Sequence, residues 1–550
     1  MILSAIGVLV AAGSAAAAIL LPSSRVRSAS MLLALALFPL LILGDQWHSP
    51  QIVDLRNHSI RLVALALAGL VAISILTVAF HRWSALLPLA IVAALPFRVP
   101  LHAGGDTANL LVPLYLVIAG GVLSAVLGEW QEGGGSQADA ASCFSPWQLG
   151  ERQQPPGEKP STRLGPPSLL PLVLAVVVVL YALQTLYSPD FSKSLQNVCF
   201  FFVPFSLLYA LLRDVRWDKK LLVLVLWVVA IEAVAFVLVG SVEYFSRSLF
   251  WNDQVIRSNE FHTYFRVNSI FWDPNIYGRY LALVIVVAMS ALLWAKERRT
   301  LALLTGLVAV LWLGLVPTFS QSSFAALLAG LAVLAALRWS WRWTLGAVGA
   351  VGLLALVVVV FAGGTSKISI SRLNVDTGGR ANLVSGGTDL FAQRPIWGYG
   401  AGSFPRAYRE HAATKKAPVS VSHTEPVTVA AEQGLIGLAA YAALLIAALW
   451  TMAAGLGSRG EGGGSLPGAA SRSSPHPPGE RDEPPGEKPS ARQGPPTLPP
   501  QAIARAAVLA TFIALLVHTM AYAGFYEDPI TWVLLAAGAS LAAVPVRPSA

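Results

Sequence analysis

Apolar runs of about 17–25 residues recur from one end of this 550-residue sequence to the other. Each is long enough to cross about 30 Å of hydrocarbon as a helix. A bilayer holds no water to satisfy exposed peptide groups, so lipid-facing loops and open sheet edges are excluded. Composition agrees: 55% of residues are hydrophobic and 12% charged, against about 25% charged in an average globular protein. The expected fold is all-α, a polytopic transmembrane bundle of about 12–15 spans with a large extracytoplasmic loop containing short interfacial helices. Candidate spans fall near 2–21, 29–44, 60–80, 84–97, 108–128, 168–187, 196–212, 219–241, 275–295, 300–317, 320–338, 342–363, 428–454, 501–523 and 529–546. The second and fourth are short enough to be interfacial instead. The first run has no basic flank before it and Arg25 and Arg27 after it, so it reads as a retained helix with its N-terminus outside.

Charge sets the orientation. Alternating sides places twelve Lys and Arg in loops on one side: Arg25, Arg27, Arg82, Arg213, Arg216, Lys219, Lys220, Lys296, Arg298, Arg299, Arg338 and Arg342. The short loops on the other side carry Arg56, Arg61, Arg98 and Lys193. By the positive-inside rule the first set is cytoplasmic. Residues 242–274 and 364–427 then lie outside, on a cytoplasmic (inner) membrane protein. The chain divides into N-terminal helices (1–128), a linker (129–167), helices 168–363 with the outer loop 242–274, the large outer loop 364–427, one span (428–456), a second linker (457–500) and C-terminal helices (501–550). The linkers repeat each other: Pro155-Pro-Gly-Glu-Lys-Pro-Ser161 returns as Pro484-Pro-Gly-Glu-Lys-Pro-Ser490. Such composition cannot bury a core, so both are expected to be disordered and cytoplasmic. The net charge of +9 sits mostly in short loops, which points to topology and not to nucleic acid. Cys143 and Cys199 offer neither a disulfide framework nor metal-ligand spacing.

The large loop escapes the charge rule because of its length, yet it holds eight Lys and Arg against four carboxylates. It contains Arg380, the run Arg394-Pro-Ile-Trp-Gly-Tyr-Gly-Ala-Gly-Ser-Phe404, and Ser422-His423-Thr-Glu425, followed by Glu432-Gln-Gly434-Leu-Ile-Gly437. Leu383, Val384, Leu390 and Phe391 share one helical face behind Arg380, although Gly386 and Gly387 weaken that helix. A guanidinium at the headgroup level binds phosphate oxygens bidentately, as Lys cannot. His423 offers a neutral imidazole as a general base, with Glu425 or Glu432 as candidate orienting carboxylates. A solvated surface histidine is the plainer alternative. In the smaller outer loop, Arg266 precedes Phe271-Trp-Asp273-Pro274-Asn275, where Asp273 suits a helix N-cap and Pro274 its first turn. Arg279, a turn further on, is available to snorkel or to join a site.

In order along the chain, these blocks resemble the O-antigen ligase and polymerase-like membrane proteins. Arg266 with Phe271 to Asn275 is similar to that family's Arg followed by Phe-x-x-Pro-Asn. Arg380 with Pro395 to Phe404 is similar to its Arg, helix and Pro-x-x-Gly-x-Gly-x-Gly-x-Phe. His423 with Glu432 to Gly437 is similar to its His and Glu-x-Gly-Leu-Ile-Gly, with Thr424 in place of the usual Asn. Thr318-Phe-Ser-Gln321-Ser-Ser is similar to a fourth block, with Gln321 where the family has Arg, so no role passes to it. The resemblance implies a glycan donor on a polyprenyl diphosphate, held through its diphosphate by Arg266 and Arg380. It also implies His423 acting on an acceptor hydroxyl of a glycan, lipid or protein, with no metal and no cofactor. Membrane lipids are the other expected partners. A transporter or flippase of lipid-linked glycans, a peptidoglycan-type polymerase, and a scaffold acting through the linkers are the competing readings. The first would place charges within spans, where Glu232 is the main candidate.

Overall fold

The computed structural model describes residues 2–103, 106–132, 169–261, 264–350, 380–411, 422–454, 456 and 499–543. The chain is helical throughout these residues except for one antiparallel hairpin, Val99–Ala103 with Asp106–Leu110, in which Val99 faces Leu110. Among the described residues eleven helices are long and apolar enough to cross a bilayer, and Leu169–Thr185 and Pro529–Ala543 are shorter apolar helices. Helix Val112–Glu132 runs a few residues past the expected start of the first linker. Apart from such ends, both linkers lie outside the described residues, as do 351–379 and 412–421 of the expected span 342–363 and the large loop.

One expected span is not a full helix. Residues 84–97 give helix Leu86–Ala94, about 14 Å at 1.5 Å per residue and roughly half the hydrocarbon thickness. Pro96 and Pro100 stop the helix and feed the hairpin instead. Another irregularity also traces to proline. Pro204 follows a π-helical turn, Val198–Phe202, between helices Phe191–Asn197 and Val203–Leu212. A proline ring crowds the carbonyl four residues back and cannot donate to it. That carbonyl, Phe200 O, accepts instead from the Tyr115 hydroxyl at 2.9 Å.

Helix Pro274–Trp294 forms the middle of one half of the bundle, packed on Arg298–Leu315, Gln321–Arg338 and Pro500–Thr519. In the other half, Leu169–Thr185 packs on Ile2–Leu20 and on Glu425–Ala453. The polar contacts separate cleanly between two ends. At one end Ser23 donates to Glu129 (2.8 Å), Arg27 pairs with Asp214 (2.5 Å) and Ser540 donates to Val215 O (2.5 Å). At the other, Ser192 donates to Asp45 (2.8 Å), Ser188 to Ala401 O (2.8 Å) and Tyr187 to Trp397 O (2.6 Å). Each of these joins loops that alternation of spans puts on the same side.

Helix Glu425–Ala453 breaks at Gly434, whose φ of 64° and ψ of −161° lie where only glycine is comfortable. The carbonyl and amide groups freed there pair with the segment after Arg394. Tyr399 N donates to Ala431 O (3.1 Å) and Gly400 N to Glu432 O (2.7 Å), while Leu435 N donates to Pro395 O (2.7 Å). Gly398, also at positive φ, lies so close that an added Cβ would stand 2.3 Å from Glu432 O. The Glu432 carboxylate accepts from Gly402 N (2.8 Å) and Phe404 N (2.9 Å), closing the start of helix Phe404–His411.

Gly434→Ala would put a Cβ 2.3 Å from Ile396 O on a left-handed backbone. We expect a loss of about 3 kcal/mol of stability, read as a lowered thermal midpoint of the purified protein in detergent. Ala at Gly306, whose Cβ position is open, should leave that midpoint unchanged or raise it slightly.

Candidate functional site

Arg266 sits in the turn between helices Asp253–Phe261 and Pro274–Trp294, and the turn is built before the side chain is aimed. Asn259 brackets its backbone, accepting from Arg266 N (3.0 Å) and donating to Arg266 O (2.9 Å). Glu243, fully buried at the end of helix Lys219–Ser246, accepts from Asn268 N (3.1 Å) and Ser269 N (2.7 Å). The guanidinium then reaches two neutral acceptors, Thr318 O from Nε (2.8 Å) and Asn275 Oδ1 from Nη2 (3.1 Å). Its orientation is fixed without a direct ion pair among the described residues, and Asp273 is the carboxylate that acts on its charge. Burial, and then the nearby Arg380, lower its pKa, against the pull of Asp273. Asp273 caps helix Pro274–Trp294 as its sequence position suggests, accepting from Asn275 N at 2.6 Å.

Arg380 opens helix Arg380–Gln393. Leu383 and Leu390 are buried on the expected face, but so are Gly386 and Gly387. A Cβ at Gly386 would meet the Tyr408 ring at 2.3 Å, and one at Gly387 would meet Val427 at 2.4 Å. The glycines that argued against the helix are what let it lie against its neighbours. Among the described residues Arg380 makes no ion pair. Its charge is felt by Arg266, His423, His518 and Tyr522.

His423 has φ 65°, an uncommon conformation for a residue with a side chain. The buried Ser422 hydroxyl fixes the turn, donating to Thr424 O at 2.7 Å and meeting Thr428 Oγ1 at 2.8 Å. The imidazole is half-buried and stands edge-on to Tyr522, 6.4 Å between ring centroids. Burial lowers its pKa below the ordinary 6.5, and Arg380 lowers it further, opposed by Asp273. The ring is therefore neutral at pH 7 and able to accept a proton.

The remaining candidates are placed as follows. Glu425 accepts from Gly524 N (2.7 Å) and Phe525 N (3.0 Å), and Glu432 holds Gly402 and Phe404. Both carboxylates are engaged by backbone amides, and neither forms a hydrogen bond with His423 among the described residues. Arg279 does not snorkel: it pairs with Asp528 at 2.7 Å, both side chains almost fully buried. The hydroxyl of Thr424, where the resembled motif has Asn, is buried without a hydrogen-bond partner among the described residues. Among the described residues no group of His, Cys, Asp or Glu is arranged to hold a metal ion.

Sequence reasoning missed Tyr522, His518 and Asp528, and treated Asp273 as a cap alone. Tyr522 is half-buried where the charges of Asp273, Arg279, Arg98 and Arg380 act on it. His518 is fully buried, meets Ser322 Oγ at 3.2 Å and steadies the turn that carries Thr318. The signal was present in Tyr522-Ala-Gly-Phe-Tyr-Glu-Asp528, a short polar stretch with two carboxylates between two apolar runs.

Arg266 and Arg380 thus lie 114 positions apart in sequence yet share one electrostatic neighbourhood with His423. Two guanidiniums, a neutral imidazole and one nearby carboxylate can hold a multiply charged anion and take a proton beside it. Residues 306–442 match the Wzy_C family model, described as O-Antigen ligase. A search of the curated proteins returns no match. The matched stretch contains Arg380, the Pro395–Phe404 segment, His423 and Glu432, while Arg266 precedes it. The match spans 137 of the 550 residues, so it is this stretch that is similar to the O-antigen ligase family.

Proposed function

We propose that the protein transfers a glycan from a polyprenyl-diphosphate carrier to an acceptor hydroxyl at the outer face of the cytoplasmic membrane. The acceptor belongs to a glycan, a lipid or a protein. What supports this reading is that Arg380 and Asp273 each act electrostatically on both Arg266 and His423, which come from separate segments. The acceptor O–H gives its proton to the neutral His423 ring as its oxygen attacks the anomeric carbon. The bond from that carbon to the diphosphate oxygen breaks, and the electron pair leaves with the diphosphate. Negative charge grows on that leaving group, where Arg266 and Arg380 stand ready to bind it bidentately. Arg266 is aimed by a carbonyl and an amide oxygen and makes no direct ion pair among the described residues, although Asp273 acts on its charge.

The purified full chain in proteoliposomes, given a polyprenyl-diphosphate-linked glycan and an acceptor, tests the roles. Asn tolerates a left-handed backbone, so His423→Asn should keep the turn and lower the transfer rate by about 100-fold or more. Arg380→Lys keeps the charge but loses the fork and should cost about tenfold. Undiminished product from both variants would refute the assignment.

The pH profile follows from the sign of the histidine shift. His423 is held below its ordinary pKa, so the competent neutral form persists at pH 7 and is lost only as pH falls through the lowered value. Arg380→Gln removes one of the two influences that depress it. Its residual activity should therefore show an acid limb displaced toward neutral pH. A limb that stays in place or moves to lower pH contradicts His423 as the base.

Orientation is tested by a membrane-impermeant maleimide on a Cys143→Ser background. Lys193→Cys should label in intact cells, and Arg298→Cys only after permeabilisation.

A further inference from the structure

Three aromatic rings, Tyr181, Phe202 and Tyr526, and three carboxylates, Glu425, Glu432 and Glu527, line one cavity that the transfer just described does not use. Two of its segments run on from the candidate site. Glu425 and Thr428 follow His423, and Ala523, Gly524 and Tyr526 follow Tyr522, whose ring stands beside His423. The space open to a water-sized group is about 60 Å³, and the volume including the open mouth is about 560 Å³. Water takes about 30 Å³ per molecule in the liquid. The inner space therefore admits the end of a small substituent, with the body that carries it left in the mouth. Lys193 and Glu527 are the exposed members of the lining and mark that mouth.

The lining is rich in acceptors, and several of its donors are already engaged. Glu425 accepts through Oε2 alone, from Gly524 N (2.7 Å) and Phe525 N (3.0 Å), so its Oε1 makes no hydrogen bond among the described residues. Asn197 is 6% exposed, and its Oδ1 is buried with no hydrogen-bond partner among the described residues. Asn197 Nδ2 donates to the Tyr181 hydroxyl at 2.9 Å. Gly402 N and Gly524 N donate to Glu432 and Glu425. The carboxylates also act on one another: Glu527 on Glu425, and both of these on Glu432. The rings favour the same sign of ligand. Tyr181 stacks on Phe202 with centroids 4.0 Å apart, and Phe202 lies 5.4 Å from Tyr526. The face of an aromatic ring attracts a cation.

We propose that this cavity binds a primary ammonium group, the charged end of an amino sugar or of an ethanolamine headgroup. An ammonium has three N–H donors and no acceptor, which matches a lining with open acceptors and aromatic faces. A hydroxyl in its place would turn lone pairs toward carboxylates, and a trimethylammonium has no N–H to donate. A metal ion would need a set of acidic or imidazole ligands in reach of one point, and among the described residues there is no such group. Binding of the ammonium stands apart from the transfer reaction. That the ammonium is carried by the acceptor rests on the transfer reading, and the two are measured separately.

The test is titration calorimetry of glucosamine and of glucose against the purified full chain at pH 7, in an uncharged, sugar-free detergent. Glucosamine should bind at least tenfold more tightly than glucose, which has a hydroxyl where the ammonium stood. Glu425→Gln keeps an acceptor for Gly524 N and Phe525 N while losing the charge, and should weaken glucosamine at least tenfold. Lys193→Gln removes the cation at the mouth and should tighten binding severalfold; carboxylates that serve only the fold would leave affinity indifferent to both changes. Should Glu425→Gln fail to fold, Glu527→Gln at the exposed rim carries the test, with a severalfold loss expected. Equal affinity for the two sugars, or wild-type affinity in a folded carboxylate variant, would overturn the site. Phosphatidylcholine nanodiscs with and without phosphatidylethanolamine identify the source. Displacement of glucosamine by phosphatidylethanolamine assigns the site to a lipid headgroup, and retention assigns it to an amino sugar. In the transfer assay Glu425→Gln should raise KM for an acceptor with a free amine and not for its N-acetylated form. Absence of any transfer by the wild type would refute the reaction and leave the calorimetric result standing.

Discussion

The break in helix Glu425–Ala453 at Gly434 is the constraint on which the candidate site rests. A helix interrupted near a membrane leaves carbonyl and amide groups that must find partners. Here they find them in the Pro395–Gly400 backbone, which lies against the opened turn. That pairing holds the loop after Arg394 on the bundle, and Glu432 extends it by closing the start of helix Phe404–His411. Helix Arg380–Gln393 is then trapped beneath Tyr408 and Val427 by its two glycines. His423 stands two residues before Glu425, where the same broken helix begins. One local interruption thus sets the relative positions of Arg380 and His423.

The electrostatics follow from how each arginine is held. Arg266 is oriented by neutral acceptors, without a direct ion pair among the described residues. Arg279 is oriented by Asp528 and contributes less net charge. Arg380, at the beginning of its helix, has no carboxylate partner among the described residues. Burial first, and Arg380 after it, hold the His423 pKa below its ordinary value. In the proposed function, Arg380 would serve both roles, since the guanidinium that would bind a diphosphate also depresses the histidine pKa.

Much of this was legible in the residues. Long apolar runs admit only helices in a bilayer, and the Lys and Arg distribution sorted the loops into two groups. The contacts Ser23–Glu129 and Ser192–Asp45 join loops within those groups. Asp273-Pro274 read correctly as a helix start. The span at 84–97 did not, because hydropathy alone gives no weight to Pro96 and Pro100, which end the helix and turn the chain into a hairpin. Glu425 and Glu432 were natural candidates to orient His423 by proximity in sequence. In space their oxygens are taken by backbone amides of two other loops.

The sequence alone determined that the chain is a helical membrane protein with cationic loops, since solvent exclusion and charge asymmetry act on composition and need no contacts. Only the tertiary structure decided which cations meet. Arg266, Arg380, His423 and Tyr522 come from separate segments, and nothing in their spacing encodes that Arg380 acts on the other three. Their positions depend on long-range backbone pairing at Gly434 and on buried carboxylates such as Glu243 and Asp528, whose partners lie on other elements of the fold.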